Sequence, residues 1–325
     1  MLEPRENPHF AGQHGAVASL YGAARAGRLH HGWLLSGAPG IGKATLAFRF
    51  ARWLLAGGTE PDLAVDPANL VAHRIAAGTH PDLFTVARRI NPKTDKMQTE
   101  IVIATIQEAI RFMRLTPAEG GWRVVVIDGA EDCNPNAANA LLKILEEPPA
   151  RAILLLVTAA PGRLLPTIRS RCRALPMPGL TDTEMTELLD LYAPDLGPEQ
   201  KTRLIELAEG SIGAALSIAA EGGIALAGLV DEALAAPLSP ARAQSIAETV
   251  TRAVDGADKF EIFFSLLRRG VAAATRREAR RGAAGSLAAR VALWQELGRL
   301  EREALLLNLD KRATICVAFS QLHGT

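Results

Sequence analysis

Cysteine is scarce in this 325-residue chain: Cys133, Cys172 and Cys316 stand far apart, with no Cys-x-x-Cys pair. That spacing argues against a disulfide framework and against a cysteine zinc site. Net charge is also missing, with 36 Lys and Arg against 35 Asp and Glu, so no global basic field advertises strong, autonomous nucleic-acid binding. No apolar run approaches the roughly 18 to 20 residues of a membrane span, and Met1 to Pro8 contains no apolar signal core. The expectation is a cytoplasmic protein in a reducing environment. His30, His31, His73 and His80 lack metal-ligand spacing, so no metal site is expected.

What is present is 48% apolar and 22% charged residues on a chain longer than one typical domain. The first half alternates short apolar runs with helical patterns, as an α/β domain with a parallel sheet does. Candidate strands are 33–36, 83–86, 123–127, 153–158 and 173–176. Apolar Ala137, Ala140, Leu141, Ile144 and Leu145 recur at helical spacing over 136–146, and Pro148-Pro149 stops that helix. Past Pro176-Met177-Pro178-Gly179 the strand signals vanish and helices follow, separated by Gly and Pro. The expected division is an α/β domain over 1–178, a short helical unit over 179–223 and a longer helical unit over 224–325.

Gly37-Ala38-Pro39-Gly40-Ile41-Gly42-Lys43 follows the apolar run Trp33 to Ser36 and precedes a helix beginning near Ala44. This strand, glycine-rich loop and helix order makes a phosphate cradle. Gly37, Gly40 and Gly42 let backbone N–H groups face one anion, the helix N-terminus adds its positive end, and Lys43 neutralises terminal phosphates. The usual Ser or Thr that ligates Mg²⁺ after the lysine is replaced by Ala44, while Thr45 is turned about 100° away by one helical step. ATP or ADP is therefore expected to bind with Mg²⁺ poorly held or absent. A second strand, Arg123 to Asp128, ends in a carboxylate of the kind that supports the Mg²⁺ hydration shell. The water-activating Glu that normally follows is Gly129, and Glu131, three positions beyond Asp128, is expected to be solvated or capping.

Several further segments accompany these motifs: Gly27-Arg28-Leu29-His30-His31-Gly32-Trp33, Leu115 to Trp122, Asn136 to Pro149 with its Leu-Leu-Lys-Ile-Leu-Glu-Glu-Pro-Pro ending, and Ile168-Arg169-Ser170-Arg171-Cys172. Together they resemble the AAA+ clamp-loader subunits of bacterial DNA polymerase III, densely from Asn7 to about Met177 and loosely beyond, where Asn308 to Arg312 carries the match. The resemblance implies an AAA+ P-loop domain, a helical lid and an all-α oligomerisation collar. It implies membership of a heteropentamer of motor and clamp-opening subunits that places a sliding clamp on primer–template DNA during replication. It also implies that Arg171 acts in trans, as an arginine finger at a neighbour's ATP, and that Thr158 occupies the sensor position near the γ-phosphate.

Active relatives carry an Arg in a Gly-Ser-x-Arg-x-Ala-Leu lid pattern, where this chain reads Gly210-Ser211-Ile212-Gly213-Ala214-Ala215-Leu216. The four-cysteine zinc module common among relatives cannot be built from three scattered cysteines. With Ala44, Gly129 and Gly213 at one site, the expectation is a non-motor, stator-like subunit whose own ATPase is weak or absent. An active motor ATPase and, more remotely, a P-loop small-molecule kinase are the alternatives. The basic stretch Arg268, Arg269, Arg276, Arg277, Arg280 and Arg281 is read as a solvated face, with a DNA or subunit contact as the other reading, and Trp294 as a packing residue.

Overall fold

The computed structural model describes residues 3–91, 96–220, 222–252, 259–280 and 287–322. They pack as two compact units, Met1–Tyr192 with Glu209–Gly213, and Ala193–Ala208 with Ala214–Thr325.

In the first unit, α1 (His14–Arg25) leads into β1 (Gly32–Ser36) and α2 (Lys43–Leu55), followed by α3 (Leu70–Ala76) and β2 (Leu83–Val86). After the two-residue strands β3 (Ile90–Asn91) and β4 (Lys96–Met97) come α4 (Ile103–Arg114), β5 (Arg123–Asp128), α5 (Pro135–Glu146) and β6 (Ala152–Thr158). The unit continues through α6 (Pro166–Ser170), β7 (Arg173–Pro176) and α7 (Asp182–Tyr192). Five strands form one parallel sheet in the order β2-β5-β6-β1-β7. Each of the five strands expected from sequence is present, with ends within one residue.

The sheet is covered on both faces, which is why its strands are continuous apolar runs. Successive side chains point to opposite faces. Trp33, Leu35, Val124, Val126, Ile153, Leu155 and Val157 join the core beneath α1 and α2, while Leu34, Val125, Ile127, Leu154 and Leu156 join the core beneath α4 and α5. Helix α5 starts where Asn134 accepts the Ala137 N–H at 2.9 Å and Pro135 takes the first turn. At one margin of the sheet, β7 pairs only with β1 and ends at Pro176.

In the second unit, α8 (Pro198–Ala208), most of α9 (Ile212–Ala220), α10 (Gly223–Ala235), α11 (Pro240–Thr251), α12 (Lys259–Arg280), α13 (Leu287–Leu306) and α14 (Lys311–Leu322) form a helical assembly. Helix α12 lies against α10 and α13, and α11 against α14. Phe260, Phe263, Phe264 and Leu267 of α12 are wholly buried, and Phe263 meets Phe319 of α14 edge-on at 5.8 Å. Two of the basic residues expected on a solvated face turn inward. Arg268 pairs with Glu301 at 3.2 Å and lies 4.4 Å over the Trp294 ring, while Arg269 donates to the carbonyls of Leu207 and Ala208 at 3.2 and 3.1 Å. Arg268 thus uses the Trp294 face as packing surface, the role expected of that indole. Arg276 and Arg277 are exposed, and Arg281 lies outside the described residues. Among the described residues no single helix is long and apolar enough to cross a membrane.

Candidate functional site

The glycine loop leaves the C-terminal end of β1 and delivers its chain to the first turn of α2. Gly37 allows the closest approach: a Cβ there would lie 2.3 Å from the Met177 carbonyl oxygen. Gly42, with φ of 93°, caps α2 in the left-handed region, so a side chain is disfavoured at that turn as well. Lys43 is 6% exposed, and its ammonium donates to the carbonyls of Gly37 at 2.9 Å and Ala38 at 2.5 Å. Burial lowers its pKa, against the opposing pull of Glu131 and Asp128. The ammonium is thus folded back onto its own loop. Ala44 packs against the apolar core and has no hydroxyl to offer a metal, and Thr45 is half-buried.

Asp128 closes β5 beside Val157 of β6. Burial raises its pKa, and nearby Lys43 moderates the rise. Gly129 adopts φ of 79°, where a Cβ would meet the Asp132 carboxylate at 2.9 Å. The catalytic Glu of the usual pattern would be strained in this backbone, so its loss is built into the turn. Glu131, expected to be solvated or capping, is half-buried, and its Oε1 accepts the backbone N–H of Ala159 at 2.7 Å. It therefore ties the turn after β5 to the end of β6. Thr158, 1% exposed, accepts the Ala160 N–H at 3.1 Å through its hydroxyl, whose own O–H is left to donate.

The loop is also covered from above. In the segment Glu209–Gly213, Ser211 Oγ donates to the Pro39 carbonyl at 2.8 Å, and the N–H of Gly213 donates to the Gly40 carbonyl at 3.0 Å. A Cβ on Gly213 would lie 2.9 Å from Gly40 Cα. The position where active relatives carry an arginine is filled by backbone against backbone. Gly37, Gly40, Gly42, Lys43, Asp128 and this segment are thus one site, whereas Arg171 belongs to another.

Arg171 follows α6. Its guanidinium pairs with Glu146 at 2.8 Å and donates to the Thr167 carbonyl at 3.1 Å, with the side chain 37% exposed. Next to it the Cys172 thiol is mostly buried, packing near Gly32, and burial pushes its pKa up to about 12. Cys172 is a protonated thiol at the root of an exposed cation.

Sequence reasoning did not single out a second polar cluster. Asp82, 1% exposed, accepts the N–H groups of Ala118 and Glu119 at 2.8 and 3.0 Å and faces Arg123 at 3.4 Å. Arg123 donates to the Thr116 carbonyl at 2.5 Å and lies 4.5 Å over the Phe112 ring. The segment Leu115 to Trp122 is thereby pinned to the start of β5. The available signal was the charge of Arg123 at the head of an otherwise apolar strand. Among the described residues no group of three or more His, Cys, Asp or Glu is arranged to hold a metal.

A five-stranded parallel sheet, helices on both faces and a glycine loop from its β1 strand define an AAA+-type P-loop protein. The family model described as DNA polymerase III, delta subunit, matches residues 12–181, more than half of the chain. The chain belongs to that family. The DNA polymerase III subunit delta′ of Pseudomonas aeruginosa is 38% identical over 183 residues, 56% of this chain and 53% of the relative. The subunit delta′ of Bacillus subtilis is 36% identical over 159 residues, 48% of this chain and 45% of the relative. The chain spans about half the length of these curated relatives. The DNA polymerase III subunit tau of Salmonella typhimurium is 29% identical over 221 residues, 66% of this chain and 33% of the relative. In fold, the chain resembles a DNA polymerase III gamma-subunit-related protein of Thermotoga maritima at a TM-score of 0.50 and 19% identity, over 94% of this chain and 98% of that one.

Proposed function

We propose that this chain works as a delta′-type, non-motor subunit of the clamp loader in bacterial DNA replication, supporting ATP hydrolysis by its neighbours rather than performing it. The observation that carries the reading is the state of its own phosphate loop. Gly213 closes on Gly40, and the positions of the metal hydroxyl and the catalytic base hold Ala44 and Gly129. An active motor needs all of these groups at once. Gly37, Gly40, Gly42, Lys43, Ala44, Thr45, Asp128 and Thr158 would form a seat for ATP or ADP that holds nucleotide without turning it over. The expected assembly is a heteropentamer of motor and clamp-opening subunits acting on the sliding clamp and primer–template DNA. Its division into an AAA+ domain over 1–178, a lid over 179–223 and a collar over 224–325 belongs to the same reading.

The chemical contribution is Arg171. A guanidinium presented across an interface stabilises the charge that develops on a transferring phosphoryl group, an effect of about 10³ to 10⁵ in rate. In the isolated chain it rests on Glu146, an exposed pair worth about 0.2 to 1 kcal/mol, which an incoming triphosphate can displace. The test is Arg171→Ala in the reconstituted complex. DNA-stimulated ATPase should drop at least tenfold while the variant still assembles, and undiminished turnover would sink the assignment. ATP hydrolysis by the isolated chain that Lys43→Ala abolishes would instead establish a motor.

A further inference from the structure

Away from the phosphate loop, a cavity of about 550 Å³ opens between α1 and the start of β7. Its wall on α1 is small, with Ala18, Ser19, Gly22 and Ala23, and its charged lining is Arg28 and Arg173. Both arginines are exposed, no carboxylate lines the cavity, and neither guanidinium has an acidic partner among the described residues.

Each arginine is placed by the fold. Gly27, with φ of 64°, ends α1, and the N–H of Arg28 closes the turn on the Ala23 carbonyl at 3.0 Å. Arg173 opens β7 in register with Trp33 and lies 4.9 Å over that buried indole. A cation–π interaction holds a guanidinium in place while leaving its N–H donors free.

We infer that this cavity binds a phosphate group carried by a molecule of nucleotide size. Two uncompensated guanidiniums at one cavity match a phosphate, with its fork of oxygens and negative charge, better than a single side-chain carboxylate. The volume lies within the range of small-ligand sites and exceeds what a bare phosphate fills. The phosphate has two possible sources, a free nucleotide or the backbone of a single DNA strand. The site is independent of the clamp-loader reading, since none of its residues belongs to the P-loop or to the Arg171 cluster.

The experiment is fluorescence anisotropy of the full chain with a labelled five-nucleotide single-stranded DNA at low salt, with dAMP as competitor. Arg28→Gln/Arg173→Gln should weaken binding at least tenfold, and Arg25→Gln, at an exposed arginine of α1 outside the cavity, should leave it unchanged. Arg173→Lys, which keeps the charge but loses the guanidinium over Trp33 and its paired donors, should bind between the wild type and the double variant. The salt slope, plotted as log affinity against log salt, should flatten by about 0.7 for each phosphate that is no longer neutralised. Displacement by dAMP identifies a free nucleotide as the source, and DNA binding without displacement identifies the strand. If dAMP titrated directly also binds no tighter to wild type than to the double variant, and the DNA behaves the same way, the inference is overturned.

Discussion

Asp82 is the buried carboxylate that holds the middle of the 115–122 segment. Its carboxylate takes two backbone N–H groups and faces Arg123, both side chains being almost wholly buried. Removing one partner of such a pair leaves an uncompensated charge, a loss of about 3 to 5 kcal/mol. Asp82→Ala should therefore lower the melting temperature of the chain by about 6 to 20 °C, at about 2 to 4 °C per kcal/mol for a unit of this size. A melting temperature unchanged in calorimetry would show that the pair is not what pins the segment. No local pattern marked this residue, because its partners lie 36, 37 and 41 positions away (118, 119 and 123 less 82). By contrast Gly37, Gly42 and Lys43 were legible, since the loop's chemistry is contiguous in sequence.

Among elements, the five sheet strands were legible because burial on both faces writes them as apolar runs, and α5 because its start and stop are local. The β3–β4 hairpin was not, since two-residue strands are too short to carry a period. Nor was the closure of Glu209–Gly213 over the loop. From sequence, Gly213 read as a missing arginine; in the fold it is a position with no room for any side chain. Gly213→Arg should therefore fail to restore nucleotide binding and should instead cost stability by about 1 to 3 kcal/mol, as overpacking does. Tight ADP binding by that variant in a calorimetric titration, with unaltered unfolding, would contradict this account. The exposed Glu146–Arg171 pair is the opposite case, and Glu146→Gln should shift urea unfolding by no more than about 1 kcal/mol.

At the scale of the molecule, two half-buried thiols weaken the fold on the alkaline side. Burial raises Cys133 and Cys172 to about 12 from an ordinary 9. Between these values the native chain keeps protons that the unfolded chain releases, so stability is full below about pH 9 and falls as pH rises through the window. Each thiol contributes a slope of up to about 1.4 kcal/mol per pH unit there. Denaturant unfolding at pH 8, 9 and 10 should show the decline, and Cys133→Ala/Cys172→Ala should flatten it. An equal decline in the double variant would assign the effect to other groups.

The short strand at the sheet margin bears on how the molecule behaves in a crowd. An open strand edge is a template on which other chains can crystallise into fibres. Here β7 is four residues long, begins with the charged Arg173 and ends with Pro176, which has no N–H to give. A neighbour that approaches this margin finds only a short ladder, interrupted at Pro176 and flanked by a charge, which limits how far pairing can spread.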